Sequence, residues 1–383
     1  MSWTISSLSE AADIVAGQHI PSDLYSDDES GTPYLTGPVD FGMRVPSVTK
    51  WTSAPKVFAE KGDVLVTVKG SGVGKSNLGI DAAIGRQLMA IRPRLTKIDQ
   101  FYLYTFIKSV EPRIHKLAQG AAIPGIVKAD LADLQIPLPP LAEQKRIAGI
   151  LDAADGLRAK RRAALAQLDT LLQSTFLDLF GDPNRWSSKF KISRLVDCCT
   201  KITDGEHGTV ERLESGRLYL MARNVTKQKS IDLSDVSYIS EEDHRRIYKR
   251  CGPEAGDLLL VCVGATIGKV ALVPEGEEFS LARSVALIKP NRDRMLPSFL
   301  LHLFDSGYIQ FKLLGQRNTG AQSGLYLGKI KELEIPLPPL DLQRRFASIV
   351  ESVERQKARH REHLAQLDTL FASLQQRAFK GDL

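Results

Sequence analysis

Cysteine is scarce in this chain. Its four copies, Cys198, Cys199, Cys251 and Cys262, all lie in the second half, and no two stand at CxxC spacing. That pattern excludes a disulfide framework or a cysteine metal site and leaves reduced, structural thiols. Histidine is nearly as rare. His360 and His363 share a helical i, i+3 spacing, but no neighbouring cysteine or carboxylate cluster completes a ligand set, so they read as solvent-facing residues. Long apolar runs are missing too. The longest, Leu258–Gly268, is bracketed by Asp257 and Lys269 and is too short to span a bilayer. The opening MSWTISSLSEAAD lacks the basic start and apolar run of a secretory signal. The expectation is a soluble, cytoplasmic protein without a membrane partner.

The motifs of covalent chemistry are absent as well. There is no GxSxG, no HExxH and no paired-cysteine zinc signature. GSGVGKS, Gly70–Ser76, falls one residue short of the spacing that a phosphate loop needs between its first glycine and GK[ST]. A related turn, Gly264–Lys269, is followed by Val270, so the pair reads as a scaffold hairpin. Asp182-Pro183-Asn184 is the nearest approach to the Asn/Asp-Pro-Pro-aromatic tetrapeptide of DNA amino-methyltransferases, and it is not that motif. The chain is therefore expected to be no enzyme and to hold no cofactor or metal of its own.

What is present is a repeat. Leu134–Leu171 and Leu333–Leu370 align without a gap, 199 positions apart. Both open with IPLPPL (Ile136–Leu141, Ile335–Leu340) and close with AQLDTL (Ala166–Leu171, Ala365–Leu370), which divides the chain into tandem halves. Ahead of each IPLPPL, β-type runs alternate with glycine turns. GDVLVTVKGSGVGK (Gly62–Lys75) matches GDLLLVCVGATIGK (Gly256–Lys269), and RQLMAIRP (Arg86–Pro93) matches RSVALIKP (Arg283–Pro290). Each GD segment reads as a buried strand, a glycine turn and a second strand. Elsewhere the two globular segments share little, which suggests one scaffold with different loops. The net charge of +6 and pI near 9.0 suit a nucleic-acid partner without requiring one.

After each IPLPPL the prolines stop and helix formers dominate. Ile147, Ile150, Leu151, Ala154, Leu157, Leu165, Leu168, Leu171 and Leu172 recur at three- and four-residue steps. Phe346, Ile349, Val350, Val353, Leu364, Leu367, Leu370, Phe371 and Leu374 do the same. Helices of about 35–40 residues follow, roughly 55–60 Å long at 1.5 Å per residue. A narrow apolar stripe needs a partner, and the other copy is the nearest one, so an antiparallel coiled coil is expected. The rival is that each helix packs only on its own domain. IPLPP itself cannot be helical and should leave the globular segment as an extended launch for the helix. A polyproline ligand for another protein is the competing reading.

Two divergent globular segments, each followed by the same hinge and helix, resemble the specificity subunit of type I restriction–modification systems. The resemblance covers essentially the whole chain. It is carried by IPLPPLAEQKRIAGILD (Ile136–Asp152), IPLPPLDLQRRFASIV (Ile335–Val350), DGEHGTV (Asp204–Val210) and the stretch Tyr219–Val273. The first segment shows no obvious copy of the DGxH motif. The resemblance implies an α/β (α+β) architecture: two target recognition domains with mixed β-sheets, over 1–140 and 182–339, and spacer helices over 141–181 and 340–383, packed as an antiparallel coiled coil. Each domain would read half of a bipartite double-stranded DNA target, with the helices as ruler. It also implies docking of methyltransferase subunits, two in number, with restriction subunits joining. S-adenosylmethionine, ATP and Mg²⁺ would sit on those partners.

Readout of base edges and phosphates needs Arg, Lys, Asn, Gln and small donors. The candidates are Lys69, Ser71, Lys75, Arg86 and Gln87 in the first domain. In the second they are Lys201, Thr203, Asp204, His207, Arg223, Asn224 and Arg283, with Arg317, Asn318 and Thr319 in the loop GQRNTGAQSG. A solvated surface role competes at each, and for Arg86 and Arg283 an internal ion pair. Arg317→Ala should weaken binding to many sequences, Asn224→Ala should relax one base position, and four residues inserted between Leu157 and Leu165 should alter the spacer. The rivals are a stand-alone DNA-binding regulator and a coiled-coil scaffold that binds no DNA.

Overall fold

The computed structural model describes residues 3–120, 123–315 and 324–383. The chain forms two compact units. One consists of Met1–Ala163 together with Arg361–Leu383, the other of Ala164–His360. Each unit therefore contains part of both long helices.

In chain order, the first unit contributes β1 (Ile5–Ser7), β2 (Ala12–Ala16), β3 (Thr32–Leu35), β4 (Val64–Thr67), β5 (Ser76–Leu78), β6 (Ala82–Ile84), β7 (Leu88–Pro93), α1 (Gln100–Leu117) and β8 (Gln135–Pro137), among shorter pieces. β2, β7, β4 and β5 form an antiparallel sheet in that order. β3 lies parallel to β6 in a second sheet, which makes the sheets mixed. β4 is buried on both faces, as a strand between two cores must be. Val64 and Val66 point into the core beneath α1, while Leu65 joins Leu35, Ile84 and Leu88 on the other side. Asp99 caps α1, its carboxylate accepting from the N–H groups of Phe101 and Tyr102 at 3.0 Å.

The second unit repeats this plan with β9 (Lys191–Arg194), β10 (Cys199–Asp204), β11 (Arg217–Leu220), α2 (Glu241–Cys251), β12 (Leu258–Val261), β13 (Val270–Leu272), β14 (Phe279–Leu281), β15 (Val285–Pro290), α3 (Pro297–Asp305), α4 (Gly307–Gly315) and β16 (Glu334–Leu337). The sheet order β10-β15-β12-β13 matches that of the first unit, and β11 runs parallel to β14 as β3 does to β6. Both GD segments form the expected hairpin. Their aspartates hold equivalent posts: Asp63 accepts from the Glu60 N–H and pairs with Arg92, and Asp257 accepts from the Glu254 N–H and pairs with Lys289 at 2.7 Å. The cysteines are free thiols, and burial pushes Cys199 and Cys262 up to about 12.

The IPLPPL segments are more than extended launches. Each begins as a strand, β8 pairing with β1 and β16 with β9. Just beyond the prolines, a buried glutamine ties each long helix to its own globular segment. Gln144 accepts from the Asp99 N–H and donates to the carbonyls of Lys97 and Pro139. Gln343 accepts from the Leu296 N–H and donates to the carbonyls of Arg294 and Pro338. Every hydrogen-bonding edge of both amides is engaged, so the hinge is a clamp.

The long helices span Leu141–Phe180 and Leu340–Lys380. Within each unit they pack against one another antiparallel. In the first, Arg146 reaches the Leu383 carbonyl while Arg158, twelve residues on, pairs with Asp368 at 2.6 Å. Arg158 also pairs with Asp155 and covers the Phe371 ring at 4.3 Å. In the second, Phe176 and Phe180 meet Phe346 at 5.4 and 5.5 Å, and the buried Lys357 pairs with Asp169 at 2.8 Å and Glu354 at 2.6 Å. The two ion triads are copies of one arrangement, and their cross-helix anions, Asp169 and Asp368, are the aspartates of AQLDTL. Not every stripe residue is buried. Leu157, Leu171 and Leu370 are 50%, 47% and 49% exposed, which narrows the apolar seam expected from spacing alone. Among the described residues, no helix is long and apolar enough to cross a membrane.

Candidate nucleic-acid interface

In the first unit β2 ends at Ala16, and the chain then crosses close beneath the β6–β7 turn. A Cβ at Gly17 would collide with the carbonyls of Ile84 and Gly85, so only glycine fits. The Gly17 N–H donates to Leu88 O at 3.0 Å and the Gln18 N–H to Ile84 O at 3.1 Å. These bonds set Gly17-Gln18-His19 beside the turn that carries Arg86 and Gln87. From the other side, the Val68 N–H donates to Gln87 O at 2.8 Å, bringing up the β4–β5 hairpin, and the Gly70 N–H donates to Pro124 O at 2.8 Å. Between them lies a cleft of about 350 Å³ lined by Lys69, Gly70, Arg86, Gln87, Ile123 and Gly125. Its wall holds two cations, an amide and an apolar side chain.

The second unit builds the same junction. β10 runs into Asp204-Gly205, and a Cβ on Gly205 would strike the carbonyls of Leu281 and Ala282. The Glu206 N–H donates to Leu281 O at 2.8 Å, and the Arg283 N–H donates back to Glu206 O at 3.0 Å. The Cys262 N–H donates to Ser284 O at 2.8 Å, as Val68 does to Gln87. Here the turn is heavily braced. His207 Nε2 lies 2.7 Å from Asp204, Arg250 donates to the Asp204 and Gly205 carbonyls, and Arg246 pairs with Glu206 at 2.6 Å. The Gly208 N–H, then the Arg246 guanidinium, hold the Glu206 carboxyl below the usual carboxylate range.

The structure sorts the sequence-predicted residues. Lys69, Arg86 and Gln87 share the cleft; Ser71 and Lys75 are exposed on the same hairpin but do not line it. Arg86 and Arg283 are exposed, and among the described residues neither forms the internal ion pair considered for it. Asp204, His207 and Arg283 meet at one turn. Lys201 is spent on the Arg250 carbonyl, and Thr203 is half-buried with its hydroxyl 3.4 Å from Asp204 O. Arg223 is exposed and braced by Asp235 and Ser237. Asn224 departs from its expected role of reading a base. It is 1% exposed, accepts from the Met221 N–H at 2.9 Å and donates to the carbonyls of Asp232 and Asp235, so it shapes the loop from inside. Arg317, Asn318 and Thr319 lie outside the described residues.

Two features escaped sequence reading. The first segment does carry a counterpart of DGEH: Ala16-Gly17-Gln18-His19 occupies the same backbone position, with the glycine and histidine kept and alanine replacing the aspartate. G-x-H after a short strand was the available signal, obscured by the different flanks. The second feature is the equivalence of Asp40 and Asn224. Asp40 is buried and accepts from the Thr36 and Gly37 N–H groups, closing the turn Pro38–Asp40 as Asn224 closes Ala222–Asn224. Val39, 83% exposed, thus stands where the other unit presents Arg223.

A sheet junction duplicated with different exposed side chains agrees with the family comparison. The family model described as "Type I restriction modification DNA specificity domain" matches residues 2–167 and 226–369. The chain belongs to this specificity family. Its matched segments take in the β2–Gly17 crossing, the cleft of the first unit, the Arg283 turn and most of both long helices. As a member of a DNA specificity family, it is a recognition component and not an enzyme. Relatives include the putative type I restriction enzyme MjaX specificity subunit of Methanocaldococcus jannaschii, 35% identical over 41% of this chain and 37% of that protein. The type I restriction enzyme EcoBI specificity subunit of Escherichia coli is 24% identical over the whole of this chain and 86% of its own. The crystal structure of a type I restriction–modification S subunit from M. genitalium shares the fold, with a TM-score of 0.60 and 19% identity over 99% of this chain and 96% of that one.

Proposed function

We propose that this specificity-family chain selects the DNA target of a type I restriction–modification complex, with each unit reading one half of a bipartite double-stranded site. The observation that supports this best is the duplicated junction: one backbone arrangement, built twice, displays Lys69, Arg86 and Gln87 in one unit and Asp204, His207 and Arg283 in the other. One scaffold with two side-chain sets is what reading two different half-sites requires. The long helices, each shared by both units, set the unread spacer and dock two methyltransferase subunits, with restriction subunits joining the larger assembly. S-adenosylmethionine, ATP and Mg²⁺ belong to those partners.

The test is a base-resolution adenine methylation map of the host with and without this gene. The expected result is loss of a single split motif, two short half-sites around a fixed gap near one turn of DNA. An unchanged map would count against the proposal and favour a stand-alone regulator.

A further inference from the structure

The turns that carry Arg86 and Arg283 are superposable in their bonding. The Leu88 N–H closes the first onto Gly85 O at 2.9 Å, and the Val285 N–H closes the second onto Ala282 O at 3.0 Å. Each turn also accepts one bond from its hairpin, at Gln87 O and at Ser284 O. Both arginines are exposed, and among the described residues neither guanidinium makes a hydrogen bond or ion pair, although the charge of Arg86 is felt by Tyr34. That sets them apart from Arg217, Arg223, Arg246 and Arg250 nearby, all held in ion pairs. A guanidinium whose donors are unused among the described residues, on a turn fixed by backbone bonds, is prepared for a bidentate acceptor.

The next position differs. Gln87 is exposed, lines the cleft, and spends neither amide edge within the described chain. Ser284 is short, and its hydroxyl accepts from the Ala222 N–H at 3.1 Å. Among the described residues, one turn thus offers in succession a guanidinium and an amide that lies against Gly37 without a hydrogen bond, the other a guanidinium alone. In the major groove, guanine presents two acceptors that match a guanidinium, and adenine presents an acceptor and a donor that match a carboxamide. Ile123, 70% exposed on the same cleft wall, is suited to the thymine methyl of such a pair.

We propose that Arg86 and Arg283 each read a guanine, one in each half-site, and that Gln87 reads an adenine beside the first, a position the second unit leaves unread through Ser284. This rests on the function proposed above and adds the bases to it. Three alleles, Gln87→Glu, Gln87→Ser and Arg283→Ala, replace the gene, and adenine methylation is mapped at base resolution. Glutamate keeps the shape but only accepts, so Gln87→Glu should change one adenine of one half-site to cytosine, which offers a donor. Gln87→Ser should make that position degenerate, and this allele decides if the glutamate variant is inactive. Arg283→Ala should erase a guanine preference in the other half-site only. A wild-type split motif that both Gln87 alleles leave unaltered overturns the inference while the function stands. A wild-type map with no motif dependent on the gene removes both.

Discussion

Asn224 shows what a polar side chain can be doing when sequence alone presents it as a reader. Its three hydrogen bonds join Met221, Asp232 and Asp235, so truncation would orphan the Met221 N–H and the Asp232 carbonyl, while Asp235 O would keep the bond it accepts from Arg223. Asn224→Ala should lower stability by about 1–3 kcal/mol, as expected for buried groups left unpaired. Arg223→Ala, one residue away but on the surface, should stay within about 0.5 kcal/mol. Urea denaturation of the two variants checks the contrast, and equal midpoints would contradict it. His302 supplies a second residue-scale prediction. Its Nδ1 faces the Ser298 carbonyl at 2.9 Å, its Nε2 is buried without a hydrogen-bond partner among the described residues, and burial holds the imidazole below its ordinary range. The unfolded chain therefore binds a proton that the folded one refuses. This contribution is intact above the unfolded histidine value of about 6.5 and is lost as pH falls below it, by at most about 1.4 kcal/mol per pH unit. His302→Gln should flatten the slope of stability against pH between the ordinary value and the lowered one. An unchanged slope would mean that the ring protonates without penalty.

At the scale of elements, the repeated motifs acquire separate explanations. IPLPPL supplies an edge strand and a proline stop, and the glutamine after it clamps the helix start. AQLDTL supplies the anion of an ion triad. Lys357 is 4% exposed and Arg158 somewhat more so, and each bridges its own helix and the facing one. A buried cation tolerates few registers, which gives the pair a specific antiparallel alignment. Asp169→Ala should cost about 1–3 kcal/mol, below the 3–5 typical of a broken buried pair, because Glu354 remains beside Lys357. Asp368→Ala should cost less, since Arg158 keeps Asp155 and reaches water more readily. Thermal unfolding of the two variants would reverse this order if the lysine were not the more deeply held cation. Much of this level was legible in the sequence: the hairpins, both helices, their hinges and their antiparallel pairing follow from periodicity and repetition. The exposure of Leu157, Leu171 and Leu370 was not, because a three- and four-residue spacing admits more positions than a narrow two-helix seam can bury. The counterpart of DGEH was hidden for another reason. What it retains is a close backbone crossing at Gly17, a tertiary constraint whose trace in the sequence is Gly17 and His19 without the aspartate.

The whole molecule depends on both triads being satisfied by the same two helices. Arg158 and Asp169 are separated by eleven residues on the first helix, and Lys357 and Asp368 by eleven on the second. Equal intervals mean that neither helix can be lengthened alone. Four residues inserted after Arg158, within the stretch from Leu157 to Leu165, would lengthen the interval from Arg158 to Asp169 by about one turn while that on the second helix stayed at eleven residues, so the two helices would no longer offer the triads matched spacings. The insertion suggested by sequence therefore tests the helix register together with the ruler. A matched pair of seven-residue insertions, between Arg158 and Asp169 and between Lys357 and Asp368, keeps the intervals equal. At 3.6 residues per turn it also returns the faces to within about 20°. The single insertion should lower the unfolding midpoint, and the matched pair should restore most of it. If the helices set the DNA spacer, the matched pair should lengthen the gap of the methylated motif and leave both half-sites unaltered. A stable matched variant that methylates at the original gap would show that the spacing is set elsewhere.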